Sequence, residues 1–146
     1  VVKKFNGKGY FKGAKIRPGK PILFSKLTSD TAFFGLPGNP VSTAACFRFF
    51  VLPYIFSSIG YSGNKPLKAR LKNKFNKKKD FTRFIKGKIN VSKRGYLEFE
   101  VLKGQESFRL KPLTQSNVWG QFNNGQTTFK RGELIDCYTT FGVNFL

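Results

Sequence analysis

Hydrophobic residues recur along this chain with two different periods, and the change falls near residue 60. Val41, Ala44, Ala45, Phe49, Leu52 and Phe56 step by threes and fours, the repeat of a helix with one buried face. The spacing predicts a helix from Pro40 to about residue 59. Pro53 is expected to kink or end it near the third turn, because proline has no N–H and crowds the preceding turn. Ahead of this helix, residues 10–16, 22–27 and 31–35 read as short strands between turn formers. Beyond it the period drops to two. Leu67, Ala69 and Leu71 alternate with Lys68, Arg70 and Lys72, and residues 84–91 continue in the same way around Gly87. Leu97, Phe99 and Val101 alternate with Glu98 and Glu100, and residues 134–141 close the series. About four or five strands with no helical pattern predict a small β-barrel or sandwich. Residues 60–66 are rich in turn formers and mark the expected boundary. The expected fold class is thus α/β over residues 1–64 followed by all-β over 65–146. The run Lys77-Lys78-Lys79 reads as an exposed hairpin tip.

The densest local signal is Leu36-Pro37-Gly38-Asn39-Pro40-Val41-Ser42, which reads as strand, tight turn and helix start. Pro37-Gly38 is a turn pair in which Gly38 is free to take positive φ. Asn39 suits the N-cap, and Pro40 suits the first helical turn, where its missing N–H costs nothing. The N–H groups of Val41, Ser42 and Thr43 would then point out of the helix end and favour an anion. A second turn, Arg17-Pro18-Gly19-Lys20-Pro21, puts two cations around a Pro-Gly pair. Together the two turns predict a phosphate or oxyanion site.

Composition narrows the chemistry. The chain has 146 residues, enough for one or two small domains, and its 18 Phe make the core aromatic. It contains no His, which removes the commonest acid–base group and the commonest zinc ligand. Its 2 cysteines, Cys46 and Cys137, are far apart and read as reduced buried thiols of a cytoplasmic protein. The best membrane candidate, residues 44–59, is short for a span and carries Arg48 and Pro53, so no membrane is expected. The N-terminus lacks a signal-peptide pattern, and the absence of Met fits a fragment. The net charge of +20 is uneven: residues 65–94 hold 13 basic side chains against Asp80 alone, while 95–146 balance at 5 against 5. A basic stripe interleaved with Phe75, Phe81 and Phe84 would suit nucleic acid or an acidic partner. The competing reading is a set of solvated strand faces, favoured because Lys outnumbers Arg and no nucleic-acid-binding motif is present.

Taken in order, Arg17-Pro18-Gly19-Lys20-Pro21, then Phe34-Gly35-Leu36-Pro37-Gly38-Asn39-Pro40-Val41-Ser42, then a helix ending near Leu52-Pro53, resemble the molybdopterin molybdenumtransferases. These are the MoeA proteins, related to the E domain of gephyrin. Weaker similarity continues in Phe81-Thr82-Arg83, in Gly104-Gln105-Glu106-Ser107, and in the closing strand from Phe129-Lys130-Arg131-Gly132 to Ile135. The resemblance implies insertion of molybdenum into molybdopterin, with adenylylated molybdopterin and molybdate as substrates and a divalent metal, Mg2+. It also implies a homodimer in the full-length protein. Residues 1–64 would be about the last third of a doubly wound α/β domain of MogA type, which explains why they offer so little core of their own. Most of a family member, including the metal-binding carboxylates, would lie upstream of Val1. The chain alone is therefore expected to be inactive, with no catalytic or metal-ligating residue assigned here.

Carried over residue by residue, the binding set becomes Arg17, Lys20, Pro37, Gly38, Asn39, Pro40, Ser42 and Ser107. Arg17 and Lys20 would hold phosphate or molybdate oxygens by charge-assisted hydrogen bonds. Arg83 is either a further contact or a sheet-face cation. Three departures stand out: Arg17 replaces a usual Lys, Glu106 replaces a small residue, and residues 110–119 match poorly. Two other readings remain: a basic binding module acting through residues 65–94, and a structural remnant that only dimerises or scaffolds.

Overall fold

The period-two half of the chain closes on itself. A computed structural model describes residues 2–61 and 65–140. Residues 62–64, within the expected boundary, and Phe141, at the end of the expected closing strand, lie outside the described residues. In chain order the strands and helices are β1 (Lys8–Lys12), β2 (Ile16–Arg17), β3 (Leu23–Lys26), β4 (Ala32–Gly35), α1 (Pro40–Cys46), α2 (Leu52–Ser58), β5 (Leu67–Leu71), β6 (Phe75–Asn76), β7 (Thr82–Val91), β8 (Leu97–Val101), α3 (Lys111–Gln115), β9 (Val118–Phe122), β10 (Thr128–Phe129) and β11 (Leu134–Thr139). Strand β7 pairs with β8, β8 with β5, β5 with β11, β11 with β9, and β9 with β7 again. Five strands thus form a closed barrel, which leaves no free edge within the ring.

Alternation sorts the barrel's side chains. Ala69, Leu71, Ile85, Phe99, Val118, Phe122, Ile135 and Cys137 are buried in one core. Phe99 is its centre. A Cβ on Gly87 would lie 2.2 Å from the Phe99 ring, and one on Gly120 would lie 2.5 Å from it. The ring fits only because β7 and β9 both present glycine there. The short pair β6–β10 adds Phe75 and Phe129, whose rings each sit 4.8 Å from that of Phe122.

Residues 1–64, expected as about the last third of a doubly wound α/β domain, form no parallel sheet of their own among the described residues. Strands β1, β3 and β4 make an antiparallel sheet in that order. The connections explain this, because a parallel pair needs a long crossover and β3 to β4 is a tight turn. That turn is held by Leu27 N–H donating to Thr31 O and by Thr31 N–H donating to Thr28 Oγ1. The expected strand 10–16 is split, with β1 ending at Lys12 and β2 leaving for the barrel, where it pairs in parallel with β7.

Pro53 does not stop the helix. A π-helical turn, Phe47–Val51, joins α1 to α2, with Leu52 N–H donating to Phe47 O. The wider turn takes up the clash that proline makes with the carbonyl four residues earlier. The helical run Pro40–Ser58 spans 19 residues and is long and apolar enough to cross a membrane, which corrects the expectation drawn from length. A single such helix is weak evidence of a span. Here Val41, Ala45 and Cys46 are fully buried, and Phe49 stacks on Phe84 of the barrel at 3.6 Å. Buried Arg48 donates from Nε to Thr139 O at 2.9 Å. Ile16, Val41, Ala45, Phe84, Leu113 and Trp119 form a second core between the two halves.

Two further corrections concern the β half. Helix α3 was not expected there; at five residues it is too short to show a period, yet its Leu113 joins the second core. Lys77 is buried rather than exposed at a tip, its Nζ donating to Lys78 O and Phe81 O.

The helix start is also closed. Asn39 Oδ1 accepts from Val41 N at 3.1 Å and from Ser42 N at 3.3 Å, and Thr43 N donates to Asn39 O at 2.8 Å. The three N–H groups expected to face an anion are therefore satisfied within the cap. Thr43 Oγ1 bonds Pro37 O and Asn39 O, locking the turn. Gly38 does not take positive φ, and a Cβ there would meet nothing within 4 Å.

Two outcomes follow. Gly120→Ala lowers unfolding free energy by about 1–3 kcal/mol through overpacking against Phe99; an unchanged urea midpoint would mean the ring has another seat. Asn39→Ala lowers it by about 1 kcal/mol through the lost cap, whereas Gly38→Ala changes it by less than about 0.5 kcal/mol. Equal losses at the two positions in the same melts would contradict the cap geometry.

Candidate functional site

Where β2 joins β7, two arginines become neighbours, since Arg17 pairs in register with Arg83. The Pro-Gly turn that follows β2 then folds back along the start of the helix. Gly19 makes this possible: its φ is +105°, and a Cβ would lie 2.6 Å from Cys46 Sγ. Cys46 in turn donates its thiol to Gly19 O at 3.4 Å. Burial pushes the Cys46 thiol up to about 11 and that of Cys137 to about 12; both are free, buried thiols.

Between this turn and the loop after β8 lies a cleft of about 580 Å³. Arg17, Lys20, Ser42, Arg83, Glu106 and Ser107 all line it. Phe81 forms an aromatic support, with the Arg17 guanidinium 5.3 Å and the Lys20 ammonium 5.9 Å from its ring centre. Arg83 is half-buried, and its Nε has no hydrogen-bond partner among the described residues. Its proton affinity is lowered by burial and then by the charge of Arg17. Like charges held this close, one of them partly desolvated, are a standing cost that an anion between them would relieve. The carboxylate at the rim, Glu106, is bonded to Arg109 at 3.2 Å. What the arrangement offers chemically is three cations and two hydroxyls, those of Ser42 and Ser107, lining one cleft with the Glu106 carboxylate.

The sequence-derived set thus divides. Arg17, Lys20, Ser42 and Ser107 are brought together, and Arg83 joins them. Pro37, Gly38, Asn39 and Pro40 are not part of this cleft. Asn39 is spent on its cap, Pro37 accepts from Thr43, and Gly38 and Pro40 line a separate, mostly apolar groove with Phe47 and Leu52. The helix start still reaches the cleft through Ser42, but its cap already occupies the N–H groups of Val41 and Ser42.

The basic stretch 65–94 is not a single exposed stripe. Lys68 is paired with Asp136 and Lys72 with Glu100. Lys77 and Lys86 are buried and donate to carbonyls. Of the interleaved aromatics, Phe75 packs in the barrel and Phe84 stacks on Phe49, so neither is available to a base. Sequence reasoning passed over Lys86 and Gln105 as site residues; a lysine in an alternating strand carries no signal that it points under a loop.

Among the described residues, no group of three or more His, Cys, Asp or Glu side chains could hold a metal ion. These residues do not fit a divalent cation, and no chemistry is assigned through one.

The chain resembles known proteins in sequence and in fold. The family model of the MoeA C-terminal region (domain IV) matches residues 68–140. A molybdopterin molybdenumtransferase of Synechocystis is 29% identical over 130 residues, covering 88% of this chain and 31% of that protein. The Drosophila molybdenum cofactor synthesis protein cinnamon is 36% identical over 107 residues, covering 70% of this chain and 17% of that one. Among solved structures, a molybdopterin biosynthesis moeA protein from Pyrococcus horikoshii superposes with a TM-score of 0.69 at 25% identity, covering 88% of this chain and 32% of its own. A molybdenum cofactor biosynthesis protein from Pyrococcus furiosus, at 21% identity, shares the fold with a TM-score of 0.71, covering 90% and 45%. The chain spans less than a third of the length of these two curated relatives. With half of its residues matched by that model and its fold superposing on that moeA protein, the chain belongs to the family of the MoeA C-terminal region.

Proposed function

We propose that this chain is the C-terminal part of a molybdopterin molybdenumtransferase, and that its cleft holds the oxyanion of molybdenum insertion. The observation that carries this reading is the convergence of Arg17, Lys20 and Arg83 on one cleft, with no ion-paired carboxylate on any of them among the described residues. Molybdate is a tetrahedral dianion. The two guanidiniums present planar N–H forks to its oxygens, Lys20 adds a point charge, and the Ser107 hydroxyl donates from the barrel side. Pro37, Gly38, Asn39 and Pro40 shape the turn that delivers Ser42 to the cleft wall. The co-substrate is adenylylated molybdopterin, whose phosphate carries the same charge sign.

On this reading residues 1–64 are about the last third of a MogA-like doubly wound domain, and 65–146 belong to the C-terminal β domain. Strand β4 is an edge strand among the described residues, open to further strands of a larger sheet. The longer protein is a homodimer of the cytoplasm, in keeping with two free thiols. Its divalent metal, Mg2+, is held by residues outside this chain. Residues 1–146 alone bind the oxyanion without completing insertion.

Calorimetric titration with molybdate tests the reading. The chain binds it at moderate salt, and Lys20→Ala or Arg83→Gln weakens binding by about tenfold each. Binding that is absent, or that survives both substitutions, would sink the cleft assignment. Molybdate-dependent cofactor formation by the chain alone would overturn the division of labour.

A further inference from the structure

The loop that brings Ser107 to the cleft has no strand pairing of its own: after Leu102 N–H donates to Lys86 O at 3.1 Å, residues 103–110 lie between β8 and α3 outside any ladder. What holds it is a lysine. Lys86 lies on β7, next to core residue Ile85, and is 1% exposed. Its Nζ donates to Gly104 O at 3.0 Å, to Glu106 O at 3.2 Å and to Arg109 O at 3.3 Å. An ammonium has three protons to give, and here each one finds a carbonyl. The loop closes around this cation, and Arg109 N–H donates back to Glu106 O.

A second clamp acts at the same residue. Gln105 Oε1 accepts from Lys86 N at 3.0 Å, and Gln105 Nε2 donates to Lys86 O at 2.8 Å and to Leu102 O at 2.6 Å. Lys86 and Gln105 therefore fasten the backbone on both sides of Glu106, one residue from Ser107. Burial lowers the proton affinity of Lys86, and the nearby Glu106 carboxylate partly restores it. Burying an ammonium costs free energy unless every proton is bonded, and a hydrocarbon side chain would fill the same space without that cost. The cation's distinguishing property is that it joins three carbonyls of one loop to a rigid strand.

We propose that Lys86 is a positioning residue for the oxyanion cleft, fixing the path of residues 104–109 so that Ser107 faces Arg17, Lys20 and Arg83. This rests on the oxyanion reading given above. Lys86 itself does not touch the ligand; it acts through Ser107. Strand β7 then supplies both a ligand-facing cation, Arg83, and the anchor of the opposite wall, Lys86, three residues apart.

The test combines two readouts on the chain carrying Lys86→Met, Ser107→Ala or both. In molybdate titrations, Lys86→Met weakens affinity by about tenfold, and on the Ser107→Ala background it adds no further loss. In amide hydrogen exchange, Lys86→Met speeds residues 104–109 by about tenfold while β8 and β9 keep their protection. An equal loss on both backgrounds, or unchanged exchange in the loop, would overturn the proposal. Should Lys86→Met fail to fold, Gln105→Ala releases the second clamp and is held to the same outcomes. If the unmodified chain binds no molybdate, the functional reading falls, and the exchange comparison still decides whether Lys86 holds the loop.

Discussion

Two residues of parallel pairing, Ile16 with Thr82 and Arg17 with Arg83, carry the N-terminal segment onto the barrel. Everything at the cleft follows from that short ladder. It places one guanidinium beside another, sets the Pro-Gly turn against the helix start, and aims the turn at the loop after β8. So brief a ladder would not hold by itself. It is backed by the second core, where Phe49 stacks on Phe84 and Val41 and Ala45 pack beside Trp119, and by Arg48 bonded to Thr139. Apolar burial supplies the holding force here, and the ladder supplies the register.

The chain's excess of positive charge has several uses. Some lysines form exposed pairs across strands, as at Lys68 with Asp136, where the contribution to stability is small. Lys77 and Lys86 are internal cations that donate to carbonyls of irregular backbone, Lys86 from within a strand. At the seam three cations share one cleft with no ion-paired carboxylate on any of them among the described residues. Charge count alone does not separate these uses. The difference lies in whether each ammonium or guanidinium finds acceptors within the fold.

The barrel shows how a packing constraint reaches the site. Gly87 and Gly120 make room for Phe99, which lets β7 run close to β8 and β9 and closes the ring. Strand β7, which carries Arg83 and Lys86, is paired with β9 over residues 83–87 and with β8 over 87–91, so one side of the cleft rests on a paired strand.

Much of the architecture was legible without coordinates. Period two at residues 67–71 and 97–101 marked strands, because alternation reports which side chains face a core, and the three- and four-residue steps of 41–56 marked the helix. The two Pro-Gly turns pointed to an anion site, and Arg17, Lys20 and Ser107 do meet in one cleft. Local rules failed where they had to be read against distant residues. Asn39 was correctly a cap, yet its success consumed the donors that the same reasoning offered to a ligand. Pro53 was absorbed by a π turn, and Lys86 was drawn inward by a loop some twenty residues away in sequence. By itself the sequence determined most of the kinds of elements and pointed to a cationic Pro-Gly turn, since both depend on neighbours within a few positions. Tertiary structure decided which cations share a cleft, which donors are already spent, and which lysine serves as an anchor, because those outcomes depend on strand register and burial that join residues far apart in the chain.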